Sequence, residues 1–341
     1  MALAMALLAG RALAQETAPA TQPDDRPTVI VVIGAEGAPE YGPQFAREAD
    51  LWAQAARRGK AEFVLIGRDA TTLPATAPAT APATEPAATE PAGSDKAHLH
   101  AAISAAAADR TRPLYLVMLG HGTFDGRDAK LNLAGPDVSD SELAAWLAPV
   151  VRPLAVIDCT AASAPFLTRL SGRNRVIITA TRSGSEINYA RFGEYFAEAI
   201  NDPAADLDKD GETSLLEAFL QASHRTAEFY KQAGRLMTEH ALLDDNGDKL
   251  GISADFFSGT RANAAARGNA ALDGPRAHQW ALIKSPQEAA ISPALRARRD
   301  EIELQMDALR QKKPLMADTD YYGQLEPLLL QLAHIYQEAG Q

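Results

Sequence analysis

Cysteine is almost absent from this 341-residue chain, and long apolar runs and an excess of basic side chains are missing altogether. The single cysteine, Cys159, excludes an internal disulfide and any zinc site built from several cysteines. No apolar run reaches the roughly 18 residues that a membrane-spanning helix needs, which argues against an integral membrane protein. The 33 basic and 44 acidic side chains give a net charge of −11, so no nucleic-acid partner is expected.

Small and polar residues mark the limits of the predicted globular region. Residues 1–14 combine a short apolar stretch with Ala12-Leu13-Ala14, a pattern typical of a signal peptide, so we expect an exported protein, periplasmic or secreted. Residues 15–27 are predicted to form a linker. The Ala/Thr/Pro-rich tract 70–93 lacks large apolar side chains and is predicted to be a disordered or polyproline-like insertion. A processing or glycan-bearing loop is the alternative interpretation of this tract.

Apolar, β-branched runs alternate with helical patterns between residues 28 and 256. Strands are predicted over 28–33, 62–66, 113–119, 154–157 and 175–179, and helices over 45–58, 94–108, 139–147, 163–170, 192–200 and 214–233. This alternation predicts an α/β fold with a mainly parallel sheet flanked by helices.

The last 85 or so residues, 257–341, are predicted to form a separate helical region. Amphipathic patterns over 289–311 and 321–339 predict a C-terminal α-helical hairpin, packed on the α/β domain or used for self-association.

Two chemically active side chains follow successive predicted strands. His121 lies between two glycines after the strand 113–119, and Cys159 follows the strand 154–157. Ligands of parallel sheets bind beyond the carboxyl ends of the strands, so the two side chains could face one cleft. An imidazole beside a thiol raises its thiolate fraction, and the N–H groups of Gly122 and Cys159 could bind an oxyanion. The alternatives are a buried apolar cysteine and a histidine in a turn.

Three blocks of sequence resemble the caspase-like cysteine peptidases, and most closely the legumain-like branch. The first is Gly120-His121-Gly122 after an apolar strand, and the second is Asp158-Cys159-Thr160-Ala161-Ala162-Ser163 after the next strand. The third comprises 178–180, 185–190 and 192–195. The resemblance extends over about residues 28–230, without the proline-rich tract. It implies a caspase-like fold in which His121 is the general base and acid and Cys159 is the nucleophile.

The same resemblance implies residues that bind the substrate. Glu194 falls where the family has an aspartate in its specificity pocket, Ser185 belongs to a segment of the same block, and Arg47 aligns more loosely with a basic pair near the first helix. An Asn, Lys or Arg side chain at the cleaved bond is therefore conceivable. Thr160 departs from the acidic residue that follows the cysteine in legumains, so asparaginyl specificity is not carried over.

An acidic segment before the helix 214–233 matches the twelve-position calcium loop of EF-hands. Oxygen-bearing side chains occupy the liganding positions, and Gly211 occupies the sixth, where the loop turns sharply. The predicted ligands are Asp206, Asp208, Asp210, Glu212, Ser214 and Glu217. An acidic loop that only caps the helix is the alternative. The second acidic turn, residues 244–248, lacks the glycine and the twelfth carboxylate, and is predicted to be a polar loop.

These features together predict an exported cysteine endopeptidase with a structural calcium ion and no organic cofactor. Its partner would be a peptide or protein substrate, and the C-terminal hairpin could cap the cleft. The alternative is a catalytically inactive caspase-like module that binds proteins.

Overall fold

The computed structural model describes residues 25–67, 93–268 and 270–340. The predicted signal peptide, most of the predicted linker and nearly all of the Ala/Thr/Pro tract therefore lie outside the described residues. The strands are β1 (Thr28–Ile33), β2 (Glu62–Ile66), β3 (Leu114–Leu119), β4 (Gly122–Phe124), β5 (Ala129–Leu131), β6 (Val138–Ser139), β7 (Leu154–Asp158), β8 (Arg175–Thr179), β9 (Leu242–Asp244), β10 (Phe257–Ser258) and β11 (Arg261–Ala262). The helices are α1 (Gly42–Arg58), α2 (Asp95–Ala106), α3 (Asp140–Leu147), α4 (Ala164–Leu170), α5 (Phe192–Asn201), α6 (Leu215–Gln232), α7 (Pro275–His278), α8 (Pro286–Ala290), α9 (Pro293–Lys312) and α10 (Asp318–Glu338).

A six-stranded sheet in the order β2-β1-β3-β7-β8-β9 forms the centre of the fold. Its first five strands are parallel, and β9 pairs antiparallel with β8 at one edge. The predicted α/β class, with a mainly parallel sheet flanked by helices, is confirmed. The antiparallel edge strand and the small sheet β4-β5-β6 were not predicted, because runs of two or three residues show no clear hydrophobic period.

Successive side chains of the central strands point to opposite faces of the sheet, and each face has its own hydrophobic core. Val29 and Val31 face α1, α5 and α6, whereas Ile30 and Val32 face α2, α3 and α4. All six residues of β1 are buried, as expected for a strand that is covered on both faces. Both His121 and Cys159 follow strands of this sheet.

Helix capping agrees with the sequence at the starts of α2 and α3. Ser94 caps α2, and Ser139 with Glu142 forms the predicted capping box of α3. The predicted helix 289–311 is wrong at its beginning. Helix α8 ends at Ala290 and a new helix, α9, begins at Pro293, because proline has no N–H to continue a helix.

The C-terminal part contains the predicted helical hairpin, formed by α9 and α10. The segment before it packs against the α/β core: Leu215 N donates to Trp280 O at 2.8 Å, and Ala277 and Leu282 are buried in the core beside α6. The domain boundary at 256/257 stays a prediction. Within the described residues, no helix has both the length and the apolar character needed to cross a bilayer.

Candidate active site at the carboxyl ends of the strands

The strands that precede His121 and Cys159 are direct neighbours in the sheet. Met118 of β3 pairs with Asp158 of β7, so the two chains leave the same edge side by side. The Cys159 N–H continues this ladder and donates to the Met118 carbonyl at 2.9 Å. The expectation that this amide would bind an oxyanion is therefore wrong in this structure, since the sheet already uses the donor.

The His121 ring is oriented by a backbone carbonyl. Its Nε2 lies 3.1 Å from the Glu36 oxygen. Because a carbonyl can only accept, this bond requires the proton on Nε2 and leaves Nδ1 as the basic atom. Tyr41 and Phe45 contact the ring edge-to-face at centroid distances of 5.0 and 5.5 Å. Tyr189 makes a third edge-to-face contact at 6.4 Å, so the ring is held by one hydrogen bond and three aromatic contacts.

The Cys159 thiol is enclosed by the first turn of α5 and by α1. Cys159 is only 4% exposed. A Cβ added to Gly193 would lie 2.6 Å from the Cys159 Cβ and 2.8 Å from Glu48 Oε2, so only glycine permits this approach. Among the residues that the structure describes, no hydrogen bond joins His121 to Cys159.

The surroundings of the thiol are acidic. Burial, followed by the charges of Glu48, Asp158 and Glu239, raises the pKa of Cys159 well above its usual value. Burial and the nearby Glu194 raise the pKa of Glu48 to about 8, so this carboxyl is neutral at pH 7. The thiol is accordingly protonated in this arrangement.

Glu48 and Glu239 were not identified from the sequence. Glu48 lies on the apolar stripe of α1 with Phe45 and Trp52, and a charged residue in such a stripe is a signal that could have revealed it. Glu239 carries no comparable signal. Its carboxylate accepts the N–H groups of Arg191 and Phe192 at 2.8 and 3.0 Å and thereby neutralises the amino end of α5 beside the thiol.

Gly122 opens β4 and packs against the chain that follows Cys159. A Cβ at this position would overlap the Ala161 carbonyl oxygen and lie 2.9 Å from Thr160 Oγ1. The lack of a side chain therefore lets the backbones after the two strands approach each other closely.

The predicted substrate-binding residues are held in contacts of their own. Arg47 donates to Glu194 at 3.1 Å and to Glu198 at 2.6 Å, which forms an ion-pair network between α1 and α5. Ser185 is exposed and lies 2.8 Å from the Ser183 hydroxyl. The structure thus pairs Arg47 with Glu194, and it is the preceding residue, Gly193, that packs against Cys159.

Three of the predicted metal ligands come together in the loop 206–217. Carboxylate oxygens of Asp206, Asp208 and Asp210 lie within 4.8 Å of one another. The turn is made by Lys209 and Gly211, which both have positive φ, and Asp206 accepts the Gly211 N–H at 3.1 Å. Partial burial and the neighbouring carboxylates raise the pKa of Asp210, as expected for crowded like charges.

The other predicted ligands of this loop have partners of their own. Glu217 forms a capping box with Ser214, and its second oxygen accepts the Leu207 N–H at 2.7 Å. The Glu212 side chain accepts the Ser285 N–H at 2.6 Å, and burial raises its pKa to about 7. Their carboxylates do not join the three aspartates in this structure.

The second acidic turn is closed by its own hydrogen bonds. Asp244 accepts the N–H groups of Gly247 and Lys249, and Asp245 accepts those of Gly274 and Ala277 at the start of α7. These contacts tie residues 244–248 to the segment that precedes the hairpin.

The larger of two cavities among the described residues lies outside the cleft. A cavity of about 490 Å³ is enclosed between the segment 260–279 and α9, and is lined by Asp208 and His278 among others. It borders the acidic loop rather than His121 and Cys159.

No protein-family profile matches the chain, and no curated protein matches it. The structure is similar to the crystal structure of caspase-1 from Spodoptera frugiperda, with 9% identity, a TM-score of 0.39, and coverage of 70% of this chain and 94% of that chain. At this identity and TM-score, the similarity assigns neither an activity nor a site.

Proposed function

We propose that the chain is a cysteine peptidase of the caspase-like type, with His121 as general base and acid and Cys159 as nucleophile. The observation that supports this most is the orientation of His121. The Glu36 carbonyl holds Nε2, which leaves Nδ1 free to accept a proton, and the ring follows the strand next to that of the cysteine. A nucleophile, a base and a group that orients the base are the parts that nucleophilic catalysis requires.

In the proposed reaction the thiol proton passes to Nδ1 and the thiolate attacks the peptide carbonyl. The C–N bond then breaks, the imidazolium protonates the leaving amine, and water hydrolyses the thioester with the same imidazole as base. Gly122 remains the candidate oxyanion donor. Because the thiol is buried and protonated here, substrate binding must turn it towards His121 and lower its pKa.

The finer proposal is an exported endopeptidase of the legumain-like branch. The three sequence blocks support this branch, and the amino-terminal pattern supports export. Glu194 would bind an Asn, Lys or Arg side chain of the substrate once its ion pair with Arg47 breaks. The exposed position of Arg47 permits such an exchange, since surface ion pairs are worth only about 0–1 kcal/mol.

Turnover of a peptide library by the purified full chain tests this proposal. We expect cleavage that disappears in Cys159→Ala and in His121→Ala, while Lys130→Met, which lies on the exposed face of β5, keeps full activity. The rate of alkylation by iodoacetamide should also fall in His121→Ala. No turnover, together with an alkylation rate that is indifferent to His121, would contradict the peptidase.

A second candidate function is a non-catalytic module that binds proteins. The acidic, closed surroundings of Cys159 favour it, because Glu48 and Glu239 oppose a thiolate. In that case the library stays uncleaved, and Cys159→Ala keeps the full affinity for a protein partner.

We also propose that residues 206–217 bind a structural calcium ion. The close approach of three carboxylates and the EF-hand spacing support this assignment. We expect calcium to raise the melting temperature, and Asp210→Asn to reduce the rise. Asp210→Asn is a sharper variant than Glu217→Ala, because Glu217 also caps α6. An equal rise in wild type and Asp210→Asn would contradict the site.

A further inference from the structure

A cluster of cationic side chains surrounds a cavity that lies outside the cleft. The cavity, of about 210 Å³, lies between the segment before β1, the carboxyl end of α1 and the corner between α8 and α9. Its charged lining residues are Arg26, Arg58, Lys60, Lys284, Arg296 and a single acid, Asp25.

Asp25 accounts for only part of this positive charge. It forms ion pairs with Lys284 at 3.1 Å and with Arg296. Although partial burial acts to raise it, the pKa of Asp25 is lowered by the hydrogen bonds from Arg296 and Lys284, so the carboxylate is fully ionised at neutral pH. Arg58, Lys60, Lys284 and Arg296 face this one lining carboxylate, which leaves a local excess of positive charge in a chain whose net charge is −11.

Two further cations, Arg58 and Lys60, line the cavity at the carboxyl end of α1. Arg58 donates to the Asn201 carbonyl at 2.8 Å, which fixes its position beside the cavity. Lys60 follows in a turn with φ of 54° and is exposed. In the part of the chain that the structure describes, the Lys60 ammonium has no hydrogen-bond or ion-pair partner.

Arg296 is the buried cation among the residues that line the cavity. It is 9% exposed, and its Nε has no hydrogen-bond partner within the described residues. A buried guanidinium is costly unless anionic groups surround it. Here Arg296 shares the Asp25 carboxylate with Lys284, and the charge of Asp300, one turn further along α9, also acts on it. A second anion would relieve the repulsion between these cations.

We propose that this cavity binds a phosphate or sulfate group, free or carried on a larger molecule whose remainder stays outside. Its volume accommodates a tetrahedral oxyanion, and arginine forks combined with lysine ammonium groups are the donors that such oxyanions prefer. The site is independent of the proposed peptidase, because none of its lining residues belongs to the cleft.

Calorimetric titration of the full chain with inorganic phosphate, at constant ionic strength kept with chloride, tests the site. We expect saturable binding with one phosphate per chain. Lys60→Met should weaken it by about tenfold, the loss expected when one charge-assisted contact disappears. Because Lys60 has no described partner, this variant loses no internal contact, and its unchanged melting temperature without phosphate verifies the fold. Lys130→Met is the matched control and should bind as wild type does.

Inorganic sulfate should compete with phosphate, whereas acetate at the same ionic strength should not. The absence of saturable binding to wild type would overturn the proposal. Equal affinity of Lys60→Met and Lys130→Met for phosphate would overturn it as well.

Discussion

The strand-end cleft and the acidic loop 206–217 both gather carboxylates, but they do so in opposite ways. In the cleft, Glu48 and Glu239 come from distant parts of the chain and are buried, and Glu48 has a pKa raised to about 8. In the loop, the aspartates are two residues apart and their oxygens accept nearby backbone N–H groups. Asp208 and Asp210 are exposed.

This difference decides what each region can do without a ligand. The loop aspartates keep backbone N–H donors, and a cation would relieve the repulsion between their carboxylates. Burial raises the pKa of the cleft carboxyls Glu48 and Glu239, and their negative charges, once formed, oppose the ionisation of the thiol beside them. The proposed cation site in the loop therefore needs no rearrangement of distant elements, whereas the proposed reaction requires the cleft to rearrange before the thiol can react.

The largest expected effect concerns the close packing of the cleft. Gly122→Ala places a methyl group against the Ala161 carbonyl, which is backbone and has little room to move, so we expect a loss of about 1–3 kcal/mol in the free energy of unfolding. Urea denaturation measures it. Gly323→Ala is the control, since nothing lies within 4 Å of a Cβ in that helical position, and it should gain about 0.5–1 kcal/mol. Equal stability of the two variants would contradict the packing.

The next effect tests the acidic surroundings of the thiol. Glu48→Gln removes a charge that appears above about pH 8, so its alkylation rate should match wild type at pH 7 and exceed it by up to about tenfold at higher pH. The exposed Glu40→Gln should follow the wild-type profile throughout. If the ratio of the Glu48→Gln alkylation rate to the wild-type rate stays the same from pH 7 upwards, Glu48 does not act on Cys159.

The same carboxyl should make the folding stability depend on pH. Its folded pKa, about 8, exceeds the usual 4.5, so the folded state holds a proton that the unfolded state releases between these values. The Glu48 contribution is fully present below pH 4.5 and is lost as pH rises to about 8, by about 1 kcal/mol per pH unit. Urea denaturation between pH 5 and 8 should give a shallower decline in Glu48→Gln. Parallel declines in both proteins would argue against a buried neutral Glu48.

The smallest effect separates helix capping from calcium binding in the loop. Ser139→Ala and Ser214→Ala each remove an equivalent capping box and should each cost about 1 kcal/mol. Only Ser214→Ala should also reduce the rise in melting temperature with calcium, because Ser214 is the ninth position of the predicted loop. A full calcium response in Ser214→Ala would restrict Ser214 to capping.

Much of the fold was predictable because its signals are local. The strands at 28–33, 62–66 and 175–179 agree with the structure to the residue, since each is a largely apolar run of strand length. The split between α8 and α9 and the two- and three-residue strands were missed. Short antiparallel strands such as β9 depend on a partner that the local sequence does not reveal.

By itself, the sequence determined the α/β alternation, the position of Cys159 after a strand next to that of His121, and the spacing of the aspartates in the loop. All three follow from neighbours along the chain: hydrophobic period, strand order and the geometry of a turn. Only the tertiary structure decided the burial and protonation of the Cys159 thiol, the pairing of Arg47 with Glu194, and the cationic cavity around Arg296. These depend on burial and on charges from distant elements, because desolvation and Coulomb forces act through space rather than along the chain.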